Sequence, residues 1–176
     1  MRKIILYSAI SADDFIADSK GQINWLNDPN LITEGEDYGY GAFYESVDTT
    51  IMGNKTYTQI LGFGVDFPYP DKKNYVVTSR SGIPETLYVR FVSGDIPAFC
   101  RSLKDEPGKD IWLVGGGKLN STLLEANLID RLVLTKMPVA LGSGIPLFGD
   151  KSWKTEFRNI STKVFGKGVL QMEFSL

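Results

Sequence analysis

The chain has 176 residues, 43% of them hydrophobic and 23% charged, a size and balance that suit one globular domain with a continuous apolar core. Basic and acidic residues number 19 and 21, for a net charge of −2, with no block of like charge to form a nucleic-acid footprint. No apolar run approaches the roughly 20 residues that span a bilayer, so neither nucleic acid nor membrane is an expected partner.

The absence of histidine, with a single cysteine, narrows the chemistry further. It removes Ser-His-Asp and Cys-His nucleophile systems and leaves almost no means of holding a structural zinc. Cys100 excludes an intramolecular disulfide and fits a reducing, cytoplasmic compartment. Carboxylates, Tyr, Lys, Ser, Thr or a bound cofactor must carry any reaction.

In chain order, the opening MRKIILYSAIS pairs a basic start with a short apolar run and no A-x-A-like cleavage site, so a first strand is expected over 3–10. The stretch 28–41 is rich in Gly, Pro and Tyr and reads as a long loop, followed by a helix over 42–47. TTIMG at 49–53 is a short strand, a helix follows over 55–61, and 62–70 is a second Gly- and Pro-rich loop. NYVVT at 74–78 is the next strand; IPAFCRSLK at 96–104 is helical, with Pro97 tolerated in the first turn and Cys100 expected inside. IWLVG at 111–115 runs through three glycines into a helix over 118–126, which Asn127 stops. RLVLTK at 131–136 is a strand. Around Gly166-Lys167-Gly168, the runs 163–165 and 169–176 form an expected hairpin. In the last run Leu170, Met172, Phe174 and Leu176 alternate with polar residues, which predicts one buried and one wet face. The order is β-α-β-α with an antiparallel tail, an α/β sandwich on one mixed, mainly parallel sheet, in one domain over 1–176.

Three strand ends carry the binding chemistry. WLVGGGKL ends a strand in Gly115, Gly116 and Gly117, with Lys118 and Leu119 opening a helix; glycines admit a phosphate and a helix start offers free N–H groups. Gly53, Asn54, Lys55 and Thr56 repeat strand, glycine, helix with a cation and a hydroxyl, although Asn54 can also be an ordinary cap. TSR at 78–80 ends a third strand in two hydroxyls and a guanidinium. Ligands of open α/β sheets collect beyond the carboxyl ends of parallel strands, so three such ends suggest a ligand with several phosphates, as in a dinucleotide. No G-x-G-x-x-G fingerprint and no ribose-binding acid are present, and Ser79 with Arg80 suits a 2′-phosphate, which favours NADPH over NADH.

These segments, in this order, resemble the dihydrofolate reductase superfamily, and within it the branch of the reductase domain of the bifunctional riboflavin-biosynthesis protein. Ser11-Ala12-Asp13-Asp14-Phe15-Ile16-Ala17 is similar to that branch's S-x-D-G-x-I-A, with Asp14 where Gly is usual; Gln22–Leu26 is similar to its Trp-containing segment. IMGNKTY resembles M-G-R-K-T-[WY] with Asn54 in place of Arg, VTSR and WLVGGG follow, and MPVALGSGIPLF at 137–148 resembles P-x-x-L-G-x-G-x-P-L-F.

The resemblance implies a three-layer sandwich of the dihydrofolate-reductase-like fold and an NADPH-dependent reductase. It implies that Ala9 and Ile16 flank the nicotinamide, that Gly53, Asn54, Lys55 and Thr56 cradle phosphate, and that Ser79 and Arg80 take the 2′-phosphate. Gly115, Gly116, Gly117, Lys118 and Leu119 would wrap the pyrophosphate and nicotinamide end, with a cis bond between Gly115 and Gly116. On the substrate side, counting back from IMG puts Asp37 at the carboxylate that enters the first helix, whereas aligning on Phe43 puts Gly39 there. Thr135 matches a threonine near that carboxylate, Asp13 is a second candidate acid or a turn residue, and Tyr7 and Trp25 are candidate pocket walls. The proton would come from Asp37, Asp13 or an ordered water. Reduction of 5-amino-6-(5-phosphoribosylamino)uracil is the best candidate reaction; folate reduction and NADPH binding without turnover are alternatives. The basic residues that would hold a ribose phosphate are not recognisable. A homodimer is expected, with Phe148, Trp153 and Phe157 as candidate contributors.

Overall fold

The computed structural model describes residues 1–149 and 154–176. Its frame is an eight-stranded sheet built from β1 (Ile4–Ile10), β3 (Val47–Gly53), β4 (Lys73–Val77), β5 (Val89–Val92), β6 (Asp110–Gly115), β7 (Arg131–Lys136), β9 (Arg158–Val164) and β10 (Leu170–Ser175). The order across the sheet is β5-β4-β3-β6-β1-β7-β10-β9. The first six run parallel, and β10 turns antiparallel to both β7 and β9. A small second sheet pairs β2 (Phe15–Asp18) with β8 (Gly144–Pro146).

Among the described residues, four helices cover the main sheet: α1 (Tyr40–Ser46), α2 (Asn54–Leu61), α3 (Ile96–Asp105) and α4 (Gly117–Glu125). Side chains alternate across a strand, and the two faces are packed differently. Ile4, Leu6 and Ile10 of β1, with Ile111 and Leu113 of β6, meet Cys100 and Leu103 of α3 and Leu123 and Leu124 of α4 in the main core. The opposite face carries α1 and α2; there Met52 and Val76 form a smaller core with Ile60 of α2. The arrangement is helix, sheet, helix, the expected three-layer sandwich with its antiparallel hairpin.

Local signals explain the ends of the elements. Asp95 caps α3 by accepting from Ala98 N at 2.9 Å, with Pro97 in the first turn. After α4, Asn127 adopts φ +52, the left-handed stop its residue type allows. Three short strands, β2, β5 and β8, escape the sequence reading, and β9 begins at Arg158, well before the expected 163. The alternation of β10 also misleads: all six of its residues are half-buried, so its polar face is covered rather than wet. Gln171 of that face donates to Tyr38 O at 2.7 Å and to Thr135 Oγ1 at 3.1 Å, because the 28–41 loop folds over it.

Candidate functional site

The parallel strands β4, β3, β6 and β1 end side by side, with Gly53 in register with Val77 and Met52 with Gly115. This places the three sequence motifs along one edge. α2 starts directly after Gly53 and α4 directly after Gly116, and neither helix has a side-chain cap on its first turn. Asn54 is therefore not the ordinary cap that its residue type offers. Two sets of unsatisfied helix N–H groups, each with its partial positive charge, are left at one edge.

Thr56 holds the two starts together. Its hydroxyl donates to Gly115 O at 3.3 Å and accepts from Gly116 N at 3.3 Å. The glycines are required by space as well as by turn: a Cβ on Gly116 would sit 3.2 Å from Thr56 Oγ1, and one on Gly117 would run into Pro146 O. The cis bond implied between Gly115 and Gly116 is corrected by the structure, since no peptide bond among the described residues is cis. The chain turns instead through φ +107 at Gly115, a conformation open to glycine and closed to most other residues. On the neighbouring strand end, Arg80 N donates to Thr78 Oγ1 at 3.1 Å, and Ser79 and Arg80 lie beyond β4 with Arg80 exposed.

The 137–149 segment, whose motif gave no role from sequence, is a strap over this edge. Asp13 accepts from Ser11 Oγ at 2.6 Å, from Leu141 N at 3.0 Å and from Gly142 N at 2.7 Å. Asp14 O accepts from Leu147 N at 3.1 Å, Asn120 Nδ2 donates to Leu147 O at 2.7 Å, and Gly149 N donates to Gly117 O at 3.0 Å. Asn120 is buried, and sequence reasoning missed it because its partner lies in a distant segment. The strap thus fastens the 11–18 loop to the start of α4. Asp14 explains the position where Gly is usual: it sits at φ +67, in the left-handed region, and its carboxylate pairs with Lys136 at 3.0 Å.

Beside this edge, the middle of β1 is left half-open: Tyr7, Ser8 and Ala9 are only partly buried although β1 lies deep inside the sheet order. Ile16 is likewise half-buried against the main core. The Tyr7 ring stacks on Phe43 of α1, with centroids 4.2 Å apart and planes 15° apart. Its hydroxyl donates to Tyr38 O at 3.3 Å, beside Thr135 and Gln171, and burial raises its pKa above the ordinary phenol value. Thr135 pairs in register with Ala9 and with Gln171. Gln171 joins this cluster and was not foreseen, since the alternation pattern assigned it to water. Trp25, in a single 3-10 turn (Asn24–Asn27), is half-buried, and its indole N–H is sheltered without a protein partner.

The acidic candidates are both engaged by donors. Asp37 precedes Gly39, the residue that opens α1, and accepts from Gly39 N at 2.8 Å and Gly41 N at 3.0 Å. These amides hold its carboxyl below the usual carboxylate range. The Ser11 hydroxyl and the strap amides lower the Asp13 pKa to about 2. Phe148 and Phe157, the candidate dimer contributors, pack against the main core, and Trp153 lies outside the described residues. Hollows lie elsewhere too: one of about 390 Å³ by Arg2, Lys104 and Pro107, where β1 and β6 begin, and another of about 330 Å³ between Gly21, Ile23, Gln59 and Phe63.

The family model of the RibD C-terminal domain matches residues 2–171. The chain belongs to the RibD C-terminal domain family. Among its relatives is the uncharacterized protein YwjB of Bacillus subtilis (strain 168), 41% identical over 169 residues that cover 96% of this chain and 95% of YwjB. A Shewanella sp. PV-4 protein named for riboflavin biosynthesis shares 29% identity at a TM-score of 0.86, covering 99% of this chain and 98% of that one. Dihydrofolate reductase from Enterococcus faecalis, solved with NADP(H) and RAB-propyl, superposes with a TM-score of 0.68 over 98% of this chain and 95% of its own. At 15% identity that likeness is one of fold.

Proposed function

We propose that this RibD-type domain is an NADPH-dependent reductase of a small, flat heterocycle. The observation that carries the reading is the pair of uncapped helix starts, α2 and α4, joined through Thr56 at the ends of adjacent parallel strands. Amide donors of two helix starts converge there as a pyrophosphate requires. When bound, NADPH supplies the hydride.

The chain's own residues hold and orient. Gly53, Asn54, Lys55 and Thr56 cradle phosphate, and Gly115, Gly116, Gly117, Lys118 and Leu119 wrap the pyrophosphate and nicotinamide end, with the Lys side chains and the first-turn N–H groups not already engaged as donors. Ser79 and Arg80 bind the 2′-phosphate, which sets the preference for NADPH over NADH. Ala9 and Ile16 flank the nicotinamide, and the strap keeps their segment against α4. Tyr7, Thr135 and Trp25 bound the ring to be reduced. Asp13 and Asp37 are both ionised at neutral pH, which favours water over either carboxyl as the proton source; we assign Asp13 to positioning the strap and Asp37 to the mouth of the ring site.

The resemblance offers the aminouracil ring of 5-amino-6-(5-phosphoribosylamino)uracil as the first ring to test and dihydrofolate as the second. The reading includes a cytoplasmic homodimer, for which light scattering in solution is the check. NADPH is expected to raise the melting temperature more than NADH at equal concentration, and loss of the reduced-nicotinamide absorbance with a ring substrate is expected to follow. Stabilisation without oxidation across aminouracils and dihydropterins would favour a binding module without turnover; no stabilisation by either nucleotide would overturn the reading.

A further inference from the structure

The half-open middle of β1 holds one hydroxyl that the protein itself serves poorly. Tyr7 and Ala9 lie on one face of the strand, and the registers of Ala9 with Thr135 and of Thr135 with Gln171 carry that face across β7 and β10. Two residues of strand, roughly 7 Å, separate Tyr7 from Ala9, so a ring resting against Ala9 lies within reach of the Tyr7 side chain. The aromatic part of Tyr7 is firmly held. It stacks on Phe43 and meets Trp112 edge-on, with centroids 6.4 Å apart in the second pair. Packing alone does not call for a hydroxyl there, since Phe would fill the same space.

The acceptor that the hydroxyl now has is a poor one. Tyr7 Oη lies 3.3 Å from Tyr38 O, beyond the usual range of an O–H···O bond, and that carbonyl already accepts from Gln171 Nε2 at 2.7 Å. The second hydrogen of Nε2 goes to Thr135 Oγ1 at 3.1 Å. Thr135 is buried and accepts there, which leaves its own hydrogen for Tyr7. Burial keeps the proton on Tyr7 and raises its pKa, while hydrogen bonds from Gln171 and Thr135 pull the other way, as donors to the oxygen do. The polarity of the chain is thus set: Gln171 donates to Thr135, Thr135 to Tyr7, and Tyr7 outward.

We propose that Tyr7 Oη is the site's hydrogen-bond donor to the substrate, and that the ring taken here presents a carbonyl oxygen to it, as uracil- and pterin-type rings do. This rests on the reductase reading and deepens it. Thr135 and Gln171 are positioning residues: they direct their own donors to oxygens of the protein, so that the Tyr7 proton has no better partner than the ring. A carbonyl at that place gives the hydroxyl a bond of ordinary length. A ring with a hydrogen or an amino group there leaves the hydroxyl unpaired or facing another donor, which weakens binding.

The test titrates 5-aminouracil and dihydropterin into the full chain saturated with NADP⁺, so that no turnover occurs. Affinity is read by calorimetry and the carbonyl stretch of the bound ring by infrared difference spectroscopy. Tyr7→Phe keeps the stack on Phe43 and removes only the hydroxyl. It is expected to bind at least one of the two rings about tenfold more weakly than the parent, equivalent to about 1.4 kcal/mol. The carbonyl band of that ring is expected at higher frequency, with NADP⁺ affinity unchanged. Thr135→Val is expected to move the band part of the way and Thr135→Ser to restore it. Equal affinity for both rings in parent and Tyr7→Phe, or a loss of affinity without movement of the band, would overturn the inference. So would a Thr135→Val band at the parent's position, or an equal loss of NADP⁺ affinity in Tyr7→Phe. Binding of NADP⁺ with no binding of either ring by the parent would also overturn it, leaving the nucleotide reading standing. Failure to bind NADP⁺ would instead remove the reductase reading, and the inference with it.

Discussion

On one face of the central sheet Leu6, Ile51 and Leu113 are sealed from solvent beneath α3 and α4, whereas on the other Tyr7, Ala9 and Val114, from two of the same three strands, stay half-open. The alternation of a β-strand lets one set of residues serve both needs. The first face is apolar and closed, and its contribution is stability. The second leaves room along β1 and β6, fills its margins with aromatic rings and ends at two uncapped helix starts. Rigid packing on one side is what permits an open, polar edge on the other.

The largest effect that separates the faces is expected from Leu113→Ala. It removes a fully buried side chain from the closed face and is expected to cost about 2–5 kcal/mol in chemical denaturation, with the NADPH affinity of the remaining folded protein little changed. Gly117→Ala should invert that pattern. Its Cβ runs into the strap carbonyl of Pro146, and NADPH affinity by fluorescence titration is expected to fall about a hundredfold, or about 2.7 kcal/mol. Arg80→Gln is expected to weaken NADPH by about tenfold, or about 1.4 kcal/mol, and to leave NADH unchanged; equal losses for both nucleotides would move the 2′-phosphate elsewhere.

Asp13 gives a pH test of the strap. A carboxyl whose pKa is lowered by folding stabilises the native state above its unfolded value, and that contribution is lost as pH falls through the folded value. Asp13→Asn is thus expected to melt at a lower temperature than the parent at neutral pH, and the difference should close as pH falls towards about 2. A difference independent of pH would mean that the charge is not what holds the strap. The smallest effect is expected at Asp14. Left-handed backbone costs a side-chain-bearing residue about 1–2 kcal/mol, glycine's extra unfolded freedom takes back about 0.5–1 kcal/mol, and the exposed Lys136 pair is worth at most about 1 kcal/mol. At the middle of these ranges the three contributions nearly cancel, so Asp14→Gly should shift stability by under about 1 kcal/mol.

The closed face was the more legible in sequence. Apolar runs such as IWLVG and RLVLTK announce buried parallel strands, and the glycines after β3 and β6 mark the strand-end edge because their need is local. What escaped detection is non-local. β8 has three residues, one of them Pro146, and exists through its pairing with β2, some 130 positions earlier in the chain. Gln171 reads as a solvent residue until the 28–41 loop covers it, and Asn120 reads as an ordinary helix position until Leu147 arrives. Asp13 shows the same limit, since its acceptors are filled by amides 128 and 129 residues away. Asn54 erred in the other direction: its residue type suits a cap, but Gly53 takes the capping position and leaves the first-turn amides free.

Amide chemical shifts followed during NADPH titration test most directly whether the two helix starts form one phosphate site. The largest shifts are expected together at Asn54, Lys55 and Thr56 and at Gly116, Gly117 and Lys118, saturating with one affinity. Shifts confined to one helix start, or centred on the hollow by Arg2 and Pro107 at the opposite ends of the strands, would contradict the account.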